Sequence, residues 1–374
     1  MSDPTTPTPP LDRAPAPAET GQGVVSGTAT TQRLVSDSGS PAGPNRPPTR
    51  TTLRSRLEPG WLHVVTSRYG LVLVWVAMIA VYAILMPTKF WNTSTLSSIL
   101  GSQSVLVFLA LSAMITLVVG EFDLSIASVM GMSATTVAVL GGVHGWPIAA
   151  AVAAGVVVAL VAGLVNAFFV VFMDLSSLVV TLGMATLLTG LTQMISGSNI
   201  VSVSSAGLTA IVDHRLLGLP LSFFYGVALA VLIAYVLGWT PLGRGMLFIG
   251  SNPEVARLAG IRVNRVRVGS YLAGALMAGL SGIILVGTVG GIDPSTTMTF
   301  LLPALAAVFL GTAVVQPGMF NPIGTIIAIY FLTTGIFGLQ LLGFSGWIQN
   351  VFYGAGLVIA VALAKVIRSR TTTA

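Results

Sequence analysis

The sequence predicts an all-α polytopic membrane protein of about ten transmembrane helices, some of them broken. Three observations lead there. Hydrophobic residues make up 54% of the 374 and charged residues only 7%, and the mean hydropathy is +0.91. Pro147 to Met173 runs 27 residues without a charge, enough to cross a hydrocarbon core of about 30 Å at about 1.5 Å per residue. Fifteen of the 17 basic residues fall in two tails and one internal loop, the distribution expected when cationic loops set membrane orientation. That partition also accounts for the pI of about 10.1 without invoking nucleic acid.

The N-terminal segment is a different material. Eleven of the 20 prolines lie between Pro4 and Pro59, among many Ser, Thr and Gly residues. Such a stretch buries too little apolar surface to offset its ordering entropy, so 1–68 is expected to be a disordered cytoplasmic tail. It has no apolar h-region and is not a signal peptide. Its Arg50, Arg54, Arg56 and Arg68 suit contact with anionic lipid.

A membrane domain is expected over 69–367, followed by a short cytoplasmic tail, 368–374. Apolar stretches place its spans at about 70–86, 96–119, 125–142, 147–173, 175–195, 220–239, 268–289, 303–315, 323–342 and 347–364. With the N-terminus inside, ten crossings return the C-terminus inside. Seven arginines lie in the N-terminal tail, five in the loop 240–267, and Lys365, Arg368 and Arg370 at the C-terminus; only Lys89 and Arg215 fall elsewhere. The positive-inside rule therefore puts the loop 240–267 in the cytoplasm.

That loop contains a complete miniature helix. Asn252 is a good N-cap, Pro253 occupies the first helical position at no cost, and Glu254 meets the positive end of the dipole. Ala256 and Arg257 carry the turn on, and Gly260 supplies the left-handed stop. Val255, Leu258 and Ala259 share one face. Two turns are too short to be stable alone, so this helix is expected to lean on a partner.

Further polar features interrupt the spans. Gly120-Glu121-Phe122-Asp123-Leu124-Ser125 sets two carboxylates between apolar segments. Two readings stand: a broken helix facing a water-filled path, with Asp123 or Ser125 capping the next helix, or a loop at the cytoplasmic surface, where acids cost little. Asn166, Thr181, Thr186, Gln193, Gln340 and Asn350 lie inside spans, and each amide suits helix–helix hydrogen bonding more often than ligand contact. Gly311-Thr312 and Gln316-Pro317-Gly318 suggest a tight turn rather than a half-membrane break.

Several chemistries are excluded. Cysteine is absent, so disulfides and thiolate metal sites are too. The two lysines, Lys89 and Lys365, follow Thr88 and Ala364, so there is no Gly-Lys-Ser/Thr phosphate loop. His63, His144 and His214 are isolated, and no nucleophile–base constellation is visible. The chain is expected not to be an enzyme on its own, and to have no cofactor or metal of its own.

Gly120 to Ser128 resembles the glycine-x-x-Asp-Leu-Ser-x-x-Ser signature of the inner-membrane permease subunits of ribose-type (simple sugar) ABC importers. Gly250 to Ile261 is similar to that family's cytoplasmic coupling loop. Thr181-Leu182-Gly183 and Leu339-Gln340-Leu341-Leu342-Gly343 resemble further segments, so the likeness runs in order from about Phe90 to Lys365. Departures are Val255 for alanine, Ser176-Ser177 for Pro-Pro, Gly311-Thr312 for Gly-Gly, and Glu121 where glycine is common.

The resemblance implies a pair of permease copies, identical or not, in the bacterial cytoplasmic membrane, an extracytoplasmic sugar-binding protein, and a separate ABC ATPase subunit that uses the ATP. Asn252, Pro253, Glu254, Val255, Ala256, Arg257, Leu258 and Gly260 would couple to that ATPase. Glu121, Asp123, Ser125 and Asn166 would border the substrate path. The alternatives are a branched-chain amino acid ABC permease, an ion-coupled secondary transporter using Glu121 and Asp123, and a channel or scaffold.

Overall fold

The computed structural model describes residues 61–372, with side chains described from 69 to 362. Helix α1 (Trp61–Leu85) begins inside the segment expected to be disordered. The boundary at 68 is corrected on that account, since proline and charge density mark where apolar composition begins, not where helix begins. The remainder of the expected tail lies outside the described residues. Two short helices follow, α2 (Pro87–Phe90) and α3 (Thr93–Gly101), and Asn92 caps the second by accepting from the Ser94 amide at 3.1 Å.

The expected span 96–119 is interrupted. After Ser102-Gln103 the chain restarts as α4 (Ser104–Val118), in which every residue is buried. Gly101 lies where a Cβ would meet Pro220 Cδ at 2.8 Å, so tertiary packing and a poor helix-forming Gly-Ser pair break the helix together. α5 (Ile126–Ala138) and α6 (Ile148–Ala167) each finish in a π-helical turn, at Val139–Val143 and Phe168–Phe172. α7 (Ser177–Ser196) returns.

Beyond it lie β1 (Val201–Ser202), the short α8 (Ala206–Asp213), and a hairpin of β2 (Arg215–Leu216) with β3 (Leu219–Pro220). α9 (Leu221–Trp239) leads into α10 (Pro241–Ser251) and α11 (Pro253–Leu258). α12 (Val263–Val289) starts five residues before its expected span and ends at β4 (Gly291–Ile292), which pairs antiparallel with β1.

The span expected at 303–315 is a 3₁₀ turn, Thr297–Phe300, continued by α13 (Leu301–Gly311). The following stretch is a compact turn organised by Asn321. Its Nδ2 donates to the carbonyls of Gly311 and Val314 at 3.3 and 3.1 Å, while its Oδ1 accepts from the Gly324 amide of α14 (Pro322–Leu341) at 2.6 Å. One side chain thus satisfies the end of one helix and the start of the next. α15 (Trp347–Thr372) continues through most of the short tail expected at 368–374, because no Gly or Pro stops it.

Among the described residues seven helical stretches are long and apolar enough to cross a membrane, and three shorter apolar ones, Tyr69–Leu85, Thr297–Gly311 and Trp347–Ala362, complete the expected ten. The all-α polytopic class stands. α4 and α12 form the centre, and α12 packs on α4, α5 and α6. Small residues permit this closeness: a Cβ on Gly279 would meet Ala159 Cβ at 2.6 Å, and one on Gly163 would meet Ala275 Cβ at 2.5 Å. α6, α7 and α9 keep most of their surface outward, as suits helices facing lipid. The bundle has two chemically different ends. One, the arginine end, carries α10, α11, the 119–125 break and the α6–α7 turn; the other carries α8, the hairpin and the α14–α15 turn.

Candidate functional site: the capped helix and the buried break

The capped helix forms as its residues dictate. The Asn252 side chain accepts from the amides of Glu254 and Val255, both at 3.1 Å, covering two of the first-turn donors that have no helical partner. Glu254 and Arg257 make an exposed pair at 3.4 Å, which adds little energy in water. The helix ends at Leu258, and Gly260 takes φ +81°, a conformation only glycine adopts cheaply. The Ile261 amide then donates to Ala256 O at 3.0 Å.

Its faces differ sharply. Ala256 is fully buried in the chain's own core, whereas Val255 is 44% and Leu258 88% exposed. The apolar face expected at Val255, Leu258 and Ala259 therefore points away from this chain. α10 holds the helix against the bundle at Gly250, where a Cβ would collide with the Val118 carbonyl at the end of α4. Only glycine permits that approach.

Beside this contact lies the break. Gly120 has φ +87°, and Glu121 follows it into the protein, only 8% exposed. Arg267 Nε donates to Glu121 Oε1 at 2.6 Å, and the Tyr271 hydroxyl donates to Oε2 at 3.5 Å. Both donors stand on α12, which follows the capped helix directly. The carboxylate is thus neutralised by the cation its burial requires. A polar hollow of about 340 Å³, bordered by Glu121, Asp174, Glu254, Arg257 and Arg267, separates the break from α11.

Asp123, Ser125 and Asn166 form a second, interior chain of hydrogen bonds. Asp123 Oδ1 accepts from the Ser125 amide at 2.9 Å and hydroxyl at 2.6 Å, and Asn166 Nδ2 donates to Ser125 Oγ at 2.7 Å. The expected capping is corrected here: Ser125 occupies the N-cap position of α5 without a side-chain cap, because its hydroxyl is committed to Asp123. Asp123 closes the turn before the helix instead. Among the described residues the ion pairs are Glu121–Arg267 and Glu254–Arg257, so Asp123 has none. Burial pushes its carboxyl above the ordinary aspartate range, against the pull of the two Ser125 donors. Asn166 Oδ1 is buried without a partner.

The structure therefore brings all four expected path residues to the arginine end, and there they contact protein. Arg267, Tyr271 and Ser177 were not singled out from sequence as their partners. Ser177 Oγ accepts from the Phe122 amide at 3.3 Å and Thr181 Oγ1 from the Leu124 amide at 3.1 Å, so α7 satisfies the open backbone of the break. The signal for Arg267 was available: a membrane-level carboxylate needs a cation, and the nearest arginines flank the start of α12. Among the described residues no group of three His, Cys, Asp or Glu side chains is placed to hold a metal ion.

Residues 95–361 match the family described as branched-chain amino acid transport system, permease component. The chain is 28% identical over 296 residues to the autoinducer 2 import system permease protein LsrC of Salmonella typhimurium, covering 79% of this chain and 84% of that one. It is 25% identical to the L-arabinose ABC transporter permease protein AraH of Azospirillum brasilense, covering 81% and 88%, and 26% identical to the fructose import permease protein FrcC of Rhizobium meliloti, covering 85% and 90%. No solved structure matches. With its ten apolar helical stretches and a match over most of its length, the chain belongs to this family of multi-pass membrane permease components.

Proposed function

We propose that this chain is the translocation subunit of an ATP-driven importer for a simple sugar, lies in the bacterial cytoplasmic membrane with the arginine end inside, and is driven by a separate ABC ATPase. The observation that carries the coupling role is the outward apolar face of α11. A helix capped at both ends, held by Ala256 and presenting Leu258 at 88% exposure, has the form of a helix that lies in a partner's groove. ATP is used by that partner. A second permease copy and an extracytoplasmic sugar-binding protein complete the assembly.

The substrate class rests on the relatives, whose names give arabinose, fructose and autoinducer 2 as cargo. The family description favours a second reading, import of a branched-chain amino acid. An ion-coupled mechanism is weakened because Glu121 is already neutralised by Arg267. The interior chain Asp123–Ser125–Asn166 belongs, in this reading, to the inner end of the substrate path, where it holds the break shut.

Proteoliposomes carrying the chain with its ATPase and binding protein test both points. Sugar uptake that needs ATP, and no leucine uptake, is expected; uptake by this chain alone under an ion gradient would sink the proposal. Orientation is checked with single cysteines at Ser251 and Ser205 in this cysteine-free chain. An impermeant thiol reagent added to intact cells is expected to label position 205 and spare 251.

A further inference from the structure

The end that carries α8 and the α14–α15 turn contains a cavity that fits an uncharged solute. It has a volume of about 300 Å³ and lies where the start of α4, the start of α13, the end of α14 and the start of α15 converge. That is the small end of the range of roughly 300–1,000 Å³ for ligand sites, and suits a solute smaller than a drug-sized molecule. Three carboxamides border it, Gln103, Gln340 and Gln349, together with Thr333, Phe300 and Tyr353. No charged side chain is among its lining residues.

The polar groups are available. Gln103 spends one donor on Ser102 Oγ, at 2.8 Å. Gln340 and Gln349, exposed at the end of α14 and the start of α15, make no side-chain hydrogen bond among the described residues. Thr333 lies seven residues before Gln340, about 10 Å deeper along α14 at about 1.5 Å per residue. Its hydroxyl is buried and lies beside the Tyr353 hydroxyl. Exposed carboxamides bordering a cavity are free to exchange water for a solute.

We infer that this cavity is the outer substrate-recognition site and that it takes an uncharged, polyhydroxylated solute of monosaccharide size. Each carboxamide offers two donors and an acceptor with two lone pairs, and each sugar hydroxyl is both donor and acceptor. The rings of Phe300 and Tyr353 supply apolar faces for the C–H side of a sugar. An amino acid zwitterion would find no charged partner among the lining residues. The break at Ser102–Gln103 opens the site, because it turns Gln103 inward at the head of a helix that is otherwise wholly buried.

This inference rests on the proposed function, and two measurements separate their fates. First, the assembled transporter is offered an equimolar mixture of D-ribose, L-arabinose, D-xylose, D-fructose, D-galactose and ribitol, with L-leucine assayed separately. Uptake of at least one sugar is expected; uptake of none, or of leucine alone, overturns the function and the site together. Second, Gln340→Cys and Gln349→Cys are labelled with a small water-soluble methanethiosulfonate reagent in the presence of the transported sugar. The sugar is expected to slow labelling severalfold at both positions, leucine at neither, and a cysteine at Ser205 is expected to react at an unchanged rate. Gln103→Ala combined with Gln340→Ala is expected to lower uptake per inserted molecule by about tenfold. Unprotected cysteines, or full uptake by the double variant, would overturn the site and leave the function standing.

Discussion

The two ends of this bundle solve opposite problems with opposite chemistry. At the arginine end, charges are paired and interior polar groups tied to one another: Glu121 to Arg267, Asp123 to Ser125, Ser125 to Asn166. At the other end, the Gln340 and Gln349 side chains make no hydrogen bond among the described residues and border an open cavity. Packed, mutually satisfied elements switch between discrete arrangements instead of bending, which suits an end proposed to receive force. A surface that must exchange its hydration with a passing solute needs its donors and acceptors free. The contrast also orders the backbone. Gly250 locks α10 onto the end of α4 at the arginine end, while Ser102-Gln103 interrupts the same crossing at the other.

Leu258→Asp is the sharpest way to break that division of labour. Leu258 contacts almost nothing in its own chain, so insertion and thermal stability are expected to stay as in the wild type. In a partner's groove the unpaired carboxylate costs on the order of 3 kcal/mol or more, and uptake is expected to fall to background with loss of co-purifying ATPase. Normal co-purification together with full uptake would mean that this helix is not where force enters.

Glu121→Gln tests the next link inward. It strands Arg267 in a largely buried site, at about 3–5 kcal/mol, and is expected to lower the unfolding temperature in detergent. The double variant Glu121→Leu with Arg267→Met removes both charges, and an apolar replacement of this kind is often neutral or stabilising. Stability is therefore expected to return. If the pair transmits movement from α12 to the break, uptake per ATP hydrolysed stays low in the stable double variant. Full recovery of both would make the pair purely structural.

The helical class and the capped helix were legible because each rests on local signals: apolar runs, N-cap chemistry and glycine stops. Asn252, Pro253 and Gly260 do what their residue types require wherever the chain folds. The break at Gly120–Ser125 was legible as an interruption, but its state was not. Its hydrogen bonds come from α6, α7 and α12, and pairings at sequence separations of 41 to 150 leave no local trace. The break at Ser102–Gln103 escaped for the same reason, since hydropathy runs through it and only the packing of Gly101 on Pro220 exposes it. Helix ends at Trp61 and Thr372 were misplaced because composition marks the membrane, whereas helices extend beyond it.

Asn166→Ala probes the interior chain and should act more mildly. It removes the 2.7 Å bond to Ser125 but also an acceptor that already lacks a partner. The two effects oppose each other, and a net loss of about 1 kcal/mol is expected. The unfolding temperature is expected to drop slightly. If the chain Asp123–Ser125–Asn166 holds the inner end shut, ATP hydrolysis without sugar rises while maximal uptake changes little. A loss of stability as large as that from Glu121→Gln would show that Asn166 carries load that the hydrogen bonds alone do not explain.

Asn252→Ala is the smallest perturbation at the arginine end, and it asks whether α11 must be preformed. The side chain covers the amides of Glu254 and Val255, and losing such a cap costs about 1 kcal/mol. The helix is short and exposed, so this loss frays its first turn without disturbing the bundle, whose core reaches α11 only at Ala256. A groove-bound helix regains the order on docking, and the ordering cost appears as weaker binding by roughly fivefold. ATPase association is expected to weaken by that factor, with uptake restored when the ATPase is in excess. Asn252→Asp keeps an acceptor at the same place and is expected to behave as wild type. Equal loss from Asn252→Asp and Asn252→Ala would point instead to direct contact between the Asn252 amide and the partner.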